Sequence, residues 1–415
     1  MMKSFIGSGA VPTKFADSAS VDAFGRLRVA SPASIFDSQM QYDEQPFLWV
    51  SKEVGTATIT HKPDESAVDL TLGTALGDRV VRQTREYFRY QPGKSQQVKA
   101  TFTFGTQQTG TEKLVGYGDD NNGVFVGQDG GGTFVLLRSK ITGTVSDARK
   151  VYQSDWNMDV MDGSGPSGVD FDPATTQIFL TDIEWLGVGR VRVAFVHGGG
   201  INYVHEFLNA NVNATTYMTT ANLPIRYEIK NTTTVTSAPT LKQICAEIES
   251  EGGQQELSAY PFSLDLEDVA IPNGVGNAIV VFAARHQLTF NGIENRAKFG
   301  PISYTLHADG GRVVTRVLYN PTIVGGTWVS AIPESIMESN ATATGYSNGL
   351  QIASAIADSG GFNQAAPAST QGTIASRLPF GLDVDGSNPI PLALIAWANS
   401  NGVTASFTFN WEEVR

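Results

Sequence analysis

The stretch QIFLTDIEWLGVGRVRVAFVHGGGINYVHEF, residues 177 to 207, decides the fold class of this chain. Arg190 and Arg192 alternate with apolar residues, which is the period of a strand that has one apolar face and one polar face. Three glycines at 198 to 200 then turn the chain into a second strand-like run, as a β-hairpin requires. We therefore predict that the acids, arginines and histidines of this stretch lie on the wall of a β-hairpin and form no active site.

The same strand–turn–strand pattern recurs along the chain. It appears in TATITHKPDESAVDLTLG (56 to 73), in GVFVGQDGGGTFVLLRS (123 to 139) and in ISYTLHADGGRVVTRVLYN (302 to 320). The 43 glycines among 415 residues supply many turns between these strands. Hairpins at this density predict an all-β fold built of β-sandwich or jelly-roll domains.

Length and pattern together predict three parts. A chain of 415 residues is too long for one ordinary core. We predict an extended N-terminal arm at 1 to 50, a first β-sandwich at 51 to 255 and a second β-sandwich at 256 to 415. One helix is expected within the first domain: PTLKQICAEIESEGG (239 to 253) carries apolar residues at helical spacing, which would bury Cys245 as an inert thiol.

Charge and composition exclude several classes of function. The net charge of −12 disfavours binding to nucleic acid, which needs a basic face. A single cysteine permits no intrachain disulfide and no Cys-rich zinc site. The first twenty residues lack the apolar core of a signal peptide, and no apolar run approaches the length of a membrane span. We expect a chain made in the cytoplasm and not inserted into a membrane.

The N-terminal arm carries apolar and basic residues that need a surface to cover. Seven of its residues are predicted to form an assembly element that docks on another subunit, with Arg26 and Arg28 meeting acids of that neighbour; these are Phe24, Arg26, Leu27, Arg28, Val29, Ile35 and Phe36. The alternative is that the arm packs on its own domain.

No stretch carries a strong catalytic or metal-binding motif. Asp182 and Glu184 lie on one face of a strand, as a glycosidase pair would, but chance pairs are common among 41 acids. The oxygen-rich loops at 118 to 123 and 157 to 172 lack the spacing of a calcium-binding EF-hand and suit Asx turns instead. The five histidines form no ligand motif. We therefore predict no enzyme activity, no cofactor and no metal.

Aromatic side chains among the polar loops form a candidate ligand surface. Trp156, Trp185 and Tyr152 would suit carbohydrate, whose rings stack on flat aromatic faces, or a protein partner. The alternative is that they are half-buried residues of the sandwich.

Four stretches resemble one family of poorly characterised virion proteins of tailed bacteriophages. They are VDAFGRLRV (21 to 29), QSDWNMDVMDGSGPSG (153 to 168), IFLTDIEWLGVGRVRVAFV (178 to 196) and HEFLNANVNATTYMTTANLPIRYEI (205 to 229). The resemblance covers roughly residues 20 to 250 and brings no catalytic residues. It implies a structural component of the virion, assembled in the host cytoplasm, most readily in the tail or at the head–tail junction as a homo-oligomer among other virion proteins. The alternatives are a carbohydrate-binding receptor protein at a tail tip or fibre, with a host glycan as its partner, and a decoration protein of the capsid surface.

Overall fold

The computed structural model describes residues 18, 20–29, 31–253, 259–358, 362–365 and 378–415. The contacts divide the chain into two compact units. The first comprises most of the chain up to residue 255, and the second comprises 256–415 together with two short segments, 46–50 and 84–87. The sequence does not indicate that those two segments belong to the second unit.

The all-β prediction is confirmed, because helical structure in the described residues is limited to three single turns of 3-10 helix, at Pro63–Glu65, Gln153–Asp155 and Val275–Asn277. The first fifteen strands are β1 Pro32–Gln39, β2 Trp49–Val54, β3 Thr58–Lys62, β4 Ala67–Thr71, β5 Arg79–Thr84, β6 Gln96–Thr103, β7 Thr111–Gly118, β8 Gly123–Asp129, β9 Gly132–Ser139, β10 Ser146–Tyr152, β11 Thr176–Ile183, β12 Val191–His197, β13 Gly200–Phe207, β14 Ile225–Asn231 and β15 Thr240–Glu251.

These strands form two antiparallel sheets that pack face to face. One has the order β13-β12-β11-β6-β15-β4-β3, with β1 beside β15, and the other has the order β10-β9-β8-β7-β14-β5-β2. Tyr227 of the second sheet is fully buried, and its hydroxyl donates across the core to the backbone carbonyls of Thr101 and Cys245 in the first sheet. The first unit is therefore a β-sandwich, with its core between the two sheets.

The second unit is also a sandwich. Its strands are β16 Ala259–Ile271, β17 Ile279–His286, β18 Thr289–Phe290, β19 Ile293–Glu294, β20 Lys298–Asp309, β21 Val313–Tyr319, β22 Thr322–Val324, β23 Val329–Ser330, β24 Met337–Asn340, β25 Gly345–Ser347, β26 Leu350–Ala357, β27 Phe362–Ala365, β28 Leu392–Ala398 and β29 Val403–Val414. A sheet of order β16-β29-β20-β27 faces a sheet of order β23-β24-β17-β28-β21-β26. The rings of Phe282 and Phe409 meet between the two sheets, with their centroids 5.1 Å apart.

The hairpins predicted from the glycine turns are present. Strands β12 and β13 pair from Val191 opposite Phe207 to His197 opposite Gly200. Strands β8 and β9 pair up to Asp129 opposite Gly132. In the turn between β12 and β13, Gly198 and Gly199 have φ angles of +62° and +78°, which glycine adopts without strain.

The helix predicted at 239 to 253 is wrong, because that segment is the strand β15. Leu241 and Gln243 face the core, and so do Ala246 and Ile248, but the pairing with β6 shifts register between Gln243 and Ala246. The extra residue of this β-bulge displaces the alternation by one position, which produces apolar spacings that imitate a helix. The same shift leaves Cys245 exposed and not buried as predicted.

In one sheet of the first unit, aromatic rings pack directly on the backbone of glycine residues. The rings of Phe125 and Phe134 lie against Gly118 and Gly127, where a Cβ atom would stand 2.4 Å from the Cζ of Phe125 and 2.3 Å from the Cζ of Phe134. The guanidinium of Arg138 lies 5.3 Å from the centroid of the Phe125 ring. Glycine is therefore needed at these positions so that the rings can approach the backbone closely, and the guanidinium of Arg138 covers the Phe125 ring.

Candidate functional site

The N-terminal segment, which we define as residues 20 to 29, is folded onto the hairpin wall of its own chain. Val21, Asp22 and Ala23 are buried, with exposed fractions of 1%, 2% and 2%. Val21 forms a β-bridge with Leu27, so the segment is a small loop closed on itself. The backbone carbonyl of Ala23 accepts a hydrogen bond of 2.8 Å from Nε of Arg190.

Both arginines of the segment bind carboxylates of the wall. Arg26 donates from Nη2 to Oε1 of Glu184 at 2.8 Å and from Nε to Oδ2 of Asp22 at 2.5 Å. Arg28 donates from Nη2 to Oδ2 of Asp182 at 2.7 Å. The prediction that these arginines meet acids of a neighbouring subunit is therefore wrong, because the acids of their own chain already hold them.

Asp182 is the centre of this arginine–carboxylate cluster. Its carboxylate is fully buried and accepts hydrogen bonds from Arg28, from Arg192 and from the hydroxyl of Ser95, the last at 2.6 Å. Arg192 is fully buried as well, and its Nη2 also donates to the backbone carbonyl of Val21 at 2.7 Å. Two guanidinium groups and a hydroxyl thus surround one carboxylate, which keeps the buried charge compensated.

The sheet register explains why the cluster forms. Asp182 of β11 lies opposite Arg192 of β12, which lies opposite Glu206 of β13. Residues directly opposite in antiparallel strands share a face of the sheet, so acid and base alternate across three strands. The partners of Asp182 and Glu184 in the N-terminal segment are far away in sequence. Arg28 is separated from Asp182 by 154 residues, and Arg26 from Glu184 by 158.

Glu184 differs from Asp182 in its environment. It is 1% exposed, and burial raises the pKa of its carboxyl to about 7 although the charge of Arg26 acts in the opposite direction. Only one of its oxygens binds Arg26, and Oε2 has no hydrogen-bond partner in the described part of the chain.

The rest of the predicted arm also contacts its own chain. Ile35 and Phe36 lie on β1, which pairs with β15 from Pro32 opposite Glu251 to Gln39 opposite Cys245. Both side chains are half-buried, and the ring of Phe36 lies 5.0 Å from that of Phe88. Residues 32 to 39 are thus a strand of the first sandwich and not part of a separate arm, because they complete the hydrogen bonding of β15. The arm residues 1 to 17 lie outside the described residues.

The candidate aromatic surface is only partly accessible. Trp156 is 4% exposed, stacks on Phe195 at 6.0 Å and donates from Nε1 to the carbonyl of Val151, so it is a core residue and its prediction as a ligand surface is wrong. Tyr152 is half-buried, and its hydroxyl donates to the Asp129 carboxylate at 3.0 Å.

Trp185 is the third of these aromatic residues and is half-buried, with its ring edge-on to Tyr90 at 6.2 Å between centroids. The contact with Tyr90 was not predicted, because Tyr90 comes from a distant loop with no pattern of its own.

The oxygen-rich loops satisfy their carboxylates locally. Oδ1 of Asp119 accepts the amides of Asn121 and Asn122, and Asp159 accepts the amides of Met161 and Ser167. The bonds to Asn121 and Met161 are those of Asx turns, as predicted, and the bond from Ser167 closes the second loop. Across the described ranges, no group of three or more His, Cys, Asp and Glu side chains is arranged to hold a metal ion. No helix within those ranges is both long enough and apolar enough to cross a membrane.

Two histidines have structural surroundings. Nδ1 of His205 accepts the amide of Asn157 at 3.3 Å, and burial together with the charge of Arg149 lowers its pKa to about 4. His286 is fully buried with Nε2 at 2.9 Å from the carbonyl of Ala297, and burial lowers its pKa to about 4. Both rings are therefore neutral near pH 7.

Comparison with known proteins gives similarity in structure alone. No model of a known protein family matches the chain, and no curated protein matches it. Similar solved structures include a protein of unknown function from Shewanella oneidensis, with 8% identity over 59% of this chain and 100% of that chain at a TM-score of 0.35. They also include the beta-glucanase of Bacillus licheniformis (10% identity, 52% of this chain, 97% of that chain, TM-score 0.33). Peanut lectin is similar at 10% identity over 53% of this chain and 98% of that chain, with a TM-score of 0.32. Similarities this low bear on neither the activity nor the ligands of this chain.

Proposed function

We propose that the protein is a non-enzymatic structural component of a tailed bacteriophage particle, located in the tail or at the head–tail junction, and that it acts through contacts between subunits. The resemblance of residues 21 to 29 and 178 to 196 to a virion family is the first support. These two stretches are the ones that the arginine–carboxylate cluster joins, through the pair of Arg28 and Asp182.

The observation that carries the proposal is the orientation of the N-terminal segment. Its arginines bind the buried carboxylates of Asp182 and Glu184, and three of its apolar side chains are exposed. Phe24 and Leu27 are each 45% exposed and Val29 is 88% exposed. A segment that is held in place by ion pairs and presents three exposed apolar side chains is suited to contact another subunit.

The charge of this surface favours a second copy of the same chain as its partner. The chain has a net charge of −12, so two copies repel each other over most of their surfaces. Around the N-terminal segment the acids Asp22, Asp182 and Glu184 are paired with Arg26 and Arg28. Two copies can therefore approach through this patch with little like-charge repulsion.

The state of the carboxylates supports a role without catalysis. A glycosidase needs one carboxyl that can deliver a proton and a second one with room to act on the sugar. Asp182 is instead bound by two arginines and a serine and is 0% exposed. Its oxygens accept hydrogen bonds from Arg28 of the N-terminal segment and from Arg192 and Ser95 of the sandwich.

The location can be tested with antibodies raised against the purified chain. Particles purified by density gradient from a lysate of the encoding phage should contain the chain on an immunoblot, and immunogold should label the tail or its junction with the head. Labelling of the capsid surface would favour the decoration alternative and contradict the tail assignment. A chain that remains entirely in the particle-free fraction would refute the proposal.

The subunit contact can be tested by light scattering of the purified chain. Val29→Asp should shift an oligomer toward the monomer because it places a charge in the proposed apolar contact. Val145→Asp is the matched control, since Val145 is also exposed, at 41%, but lies in a hairpin turn away from the segment. Equal masses for both variants and the unaltered chain would exclude the segment as the contact.

A further inference from the structure

One arginine on the outside of the second unit has no anion beside it in the described part of the chain. Arg316 lies on β21 between Thr315 and Val317, which face the core and are fully buried, so its side chain points to the opposite face of the sheet. The guanidinium of this half-buried residue lies 4.9 Å from the centroid of the Trp397 ring. Within the described ranges it forms neither a hydrogen bond nor an ion pair. An arginine that stacks on a ring in this way can still bind a carboxylate.

A second arginine–tryptophan pair on the same face of this sheet shows what such an arginine binds. Arg285 of β17 also points away from the core, because Ala284 and His286 on either side of it are buried. Its guanidinium lies 4.0 Å from the centroid of the Trp328 ring, and its Nε donates to Oε1 of Glu338 at 2.5 Å. Glu338 lies directly opposite Arg285 on β24. The chain therefore supplies a carboxylate to one of the two pairs, and its described residues supply none to the other.

The sheet register explains why no acid of a neighbouring strand meets Arg316. It lies opposite Ile395 of β28 and Ser354 of β26, so its direct neighbours on both strands are uncharged. The adjacent row on this face is apolar and comprises Trp397, Val314 and Ile356. We call Arg316 together with this row the Arg316 face. Accessible Arg and Trp side chains beside apolar ones are typical of protein interfaces, and Ile356 is 54% exposed.

The other sheet of the same sandwich carries acids on its outer side. Asp265 of β16 lies opposite Thr408 of β29, whose neighbours Phe407 and Phe409 face the core. The Asp265 carboxylate therefore points outward, where it accepts a hydrogen bond of 2.7 Å from the Thr408 hydroxyl. The exposed acids of β16, which we call the acidic strand, are Asp265, Glu267 and Asp268. None of the three is paired with a Lys or Arg side chain among the residues that the structure describes.

The two outer sides of this sandwich are complementary in charge. The Arg316 face belongs to the six-stranded sheet and the acidic strand to the four-stranded sheet packed against it, so every copy of the chain carries both halves of a contact. We propose that the Arg316 face binds the acidic strand of a second copy of the chain, with Arg316 and Asp265 paired. Such a contact is heterologous, because it uses different surfaces of the two copies, and it can close into a ring. It is independent of the contact through the N-terminal segment and of the location of the protein in a particle.

The experiment is sedimentation velocity of the full chain over a range of concentrations, with Val29→Asp in every sample to remove the contact through the N-terminal segment. We expect this parent chain to associate and Arg316→Gln to weaken its association about tenfold or more, as the loss of a close interfacial charge pair does. Arg285→Gln is the matched control and should associate like the parent chain, because Arg285 stacks on a tryptophan of the same face but has Glu338 of its own chain as its partner. Melting followed by circular dichroism shows that each variant remains folded.

A charge exchange then tests the identity of the partner. Arg316→Glu and Asp265→Arg should each remove most of the association when the variant is alone, because each places like charges opposite one another in the contact. An equimolar mixture of the two variants should associate again. In the mixture, the new carboxylate of one variant meets the new guanidinium of the other, and the unaltered Arg316 of the second variant meets the unaltered Asp265 of the first.

Three results would overturn the proposal. The first is a parent chain that sediments as a monomer at every concentration, or that associates equally with Arg316→Gln and with Arg285→Gln. The second is a loss of association in Arg316→Gln that Asp265→Arg does not share, which would mean that the Arg316 face binds a different acidic surface. The third is a mixture that associates no better than either variant alone. A failure of the contact through the N-terminal segment would change none of these comparisons, because Val29→Asp is present in all of them.

Discussion

Replacing Asp182 by asparagine tests whether the arginine–carboxylate cluster stabilises the first unit. The amide has nearly the same shape as the carboxylate and can still accept from Ser95, but it carries no charge. Arg192, which is fully buried, then loses its nearest anion. Removing one member of a buried ion pair typically costs 3 to 5 kcal/mol, on the order of a third of the stability of an ordinary domain.

The change can be measured by urea unfolding followed by circular dichroism. For a domain of this size the free energy of unfolding falls by about 2 to 3 kcal/mol per molar urea, so the midpoint should drop by more than about 1 M. Glu65→Gln is the control in the same unit: Glu65 pairs with Lys242, but it is 52% exposed on its side chain. Exposed pairs contribute about 0 to 1 kcal/mol, so this variant should unfold close to the unaltered chain.

Equal midpoints for Asp182→Asn and Glu65→Gln would refute the reasoning. That result would mean that solvent or a shifted backbone compensates Arg192, and that the cluster contributes no more than a surface pair. A second check is limited proteolysis after residue 29, because a destabilised N-terminal segment should be cut earlier in the Asp182→Asn variant than in the control.

Three further predictions concern single side chains. Burial raises the pKa of Glu184 to about 7 from an ordinary 4.5, so the stability that its neutral form allows is fully present below about pH 4.5 and is lost as the pH rises through 7. Glu184→Gln should therefore gain on the unaltered chain by on the order of 1 to 3 kcal/mol between about pH 5 and 8, as read from urea titrations at each pH. Tyr117→Phe should lower the melting stability by about 1 to 2 kcal/mol, since its hydroxyl lies 2.8 and 3.0 Å from two backbone carbonyls. Tyr217→Phe should lose far less stability, because the Tyr217 hydroxyl has no hydrogen-bond partner among the described residues. Equal losses for the two variants would contradict this difference. Gly127→Ala should cost about 1 to 3 kcal/mol in calorimetry because its Cβ would stand 2.3 Å from an aromatic ring. Gly276→Ala, where nothing lies within 4 Å, should be neutral, and a neutral Gly127→Ala would show that the ring can move away.

The fold class was predictable because strand alternation is a local signal. The hairpin around Gly198 and the face shared by Arg190 and Arg192 follow from period two and from turn chemistry, and both are present. The segment 239 to 253 shows the limit of this signal. A single bulge before Ala246 changes the phase of the alternation, and the resulting spacing is indistinguishable from a short helix until the partner strand is known.

The site was predictable only where its residues are neighbours in sequence or across one hairpin. Asp182 and Arg192 could be placed on one face, because they lie on adjacent strands of the same hairpin wall. Their partnership with Arg28 could not be inferred, since charge complementarity does not identify which of the chain's 41 acids an arginine will meet. The burial of Trp156 was not predicted for a related reason. The sequence of its loop is polar, but Phe171 and Phe195, which are distant in sequence, cover the ring.

The bond between the N-terminal segment and the hairpin wall also imposes an order on synthesis and folding. Arg26 precedes Glu184 by 158 residues, so a ribosome that adds 5 to 20 residues per second makes the carboxylate about 8 to 30 s after the arginine. Throughout that interval Arg26 can pair with Asp22 of its own segment but not with the buried carboxylates of the wall. The first sandwich can therefore close only after β12 has left the ribosome, and a chain that stops before Asp182 cannot retain its own N-terminus.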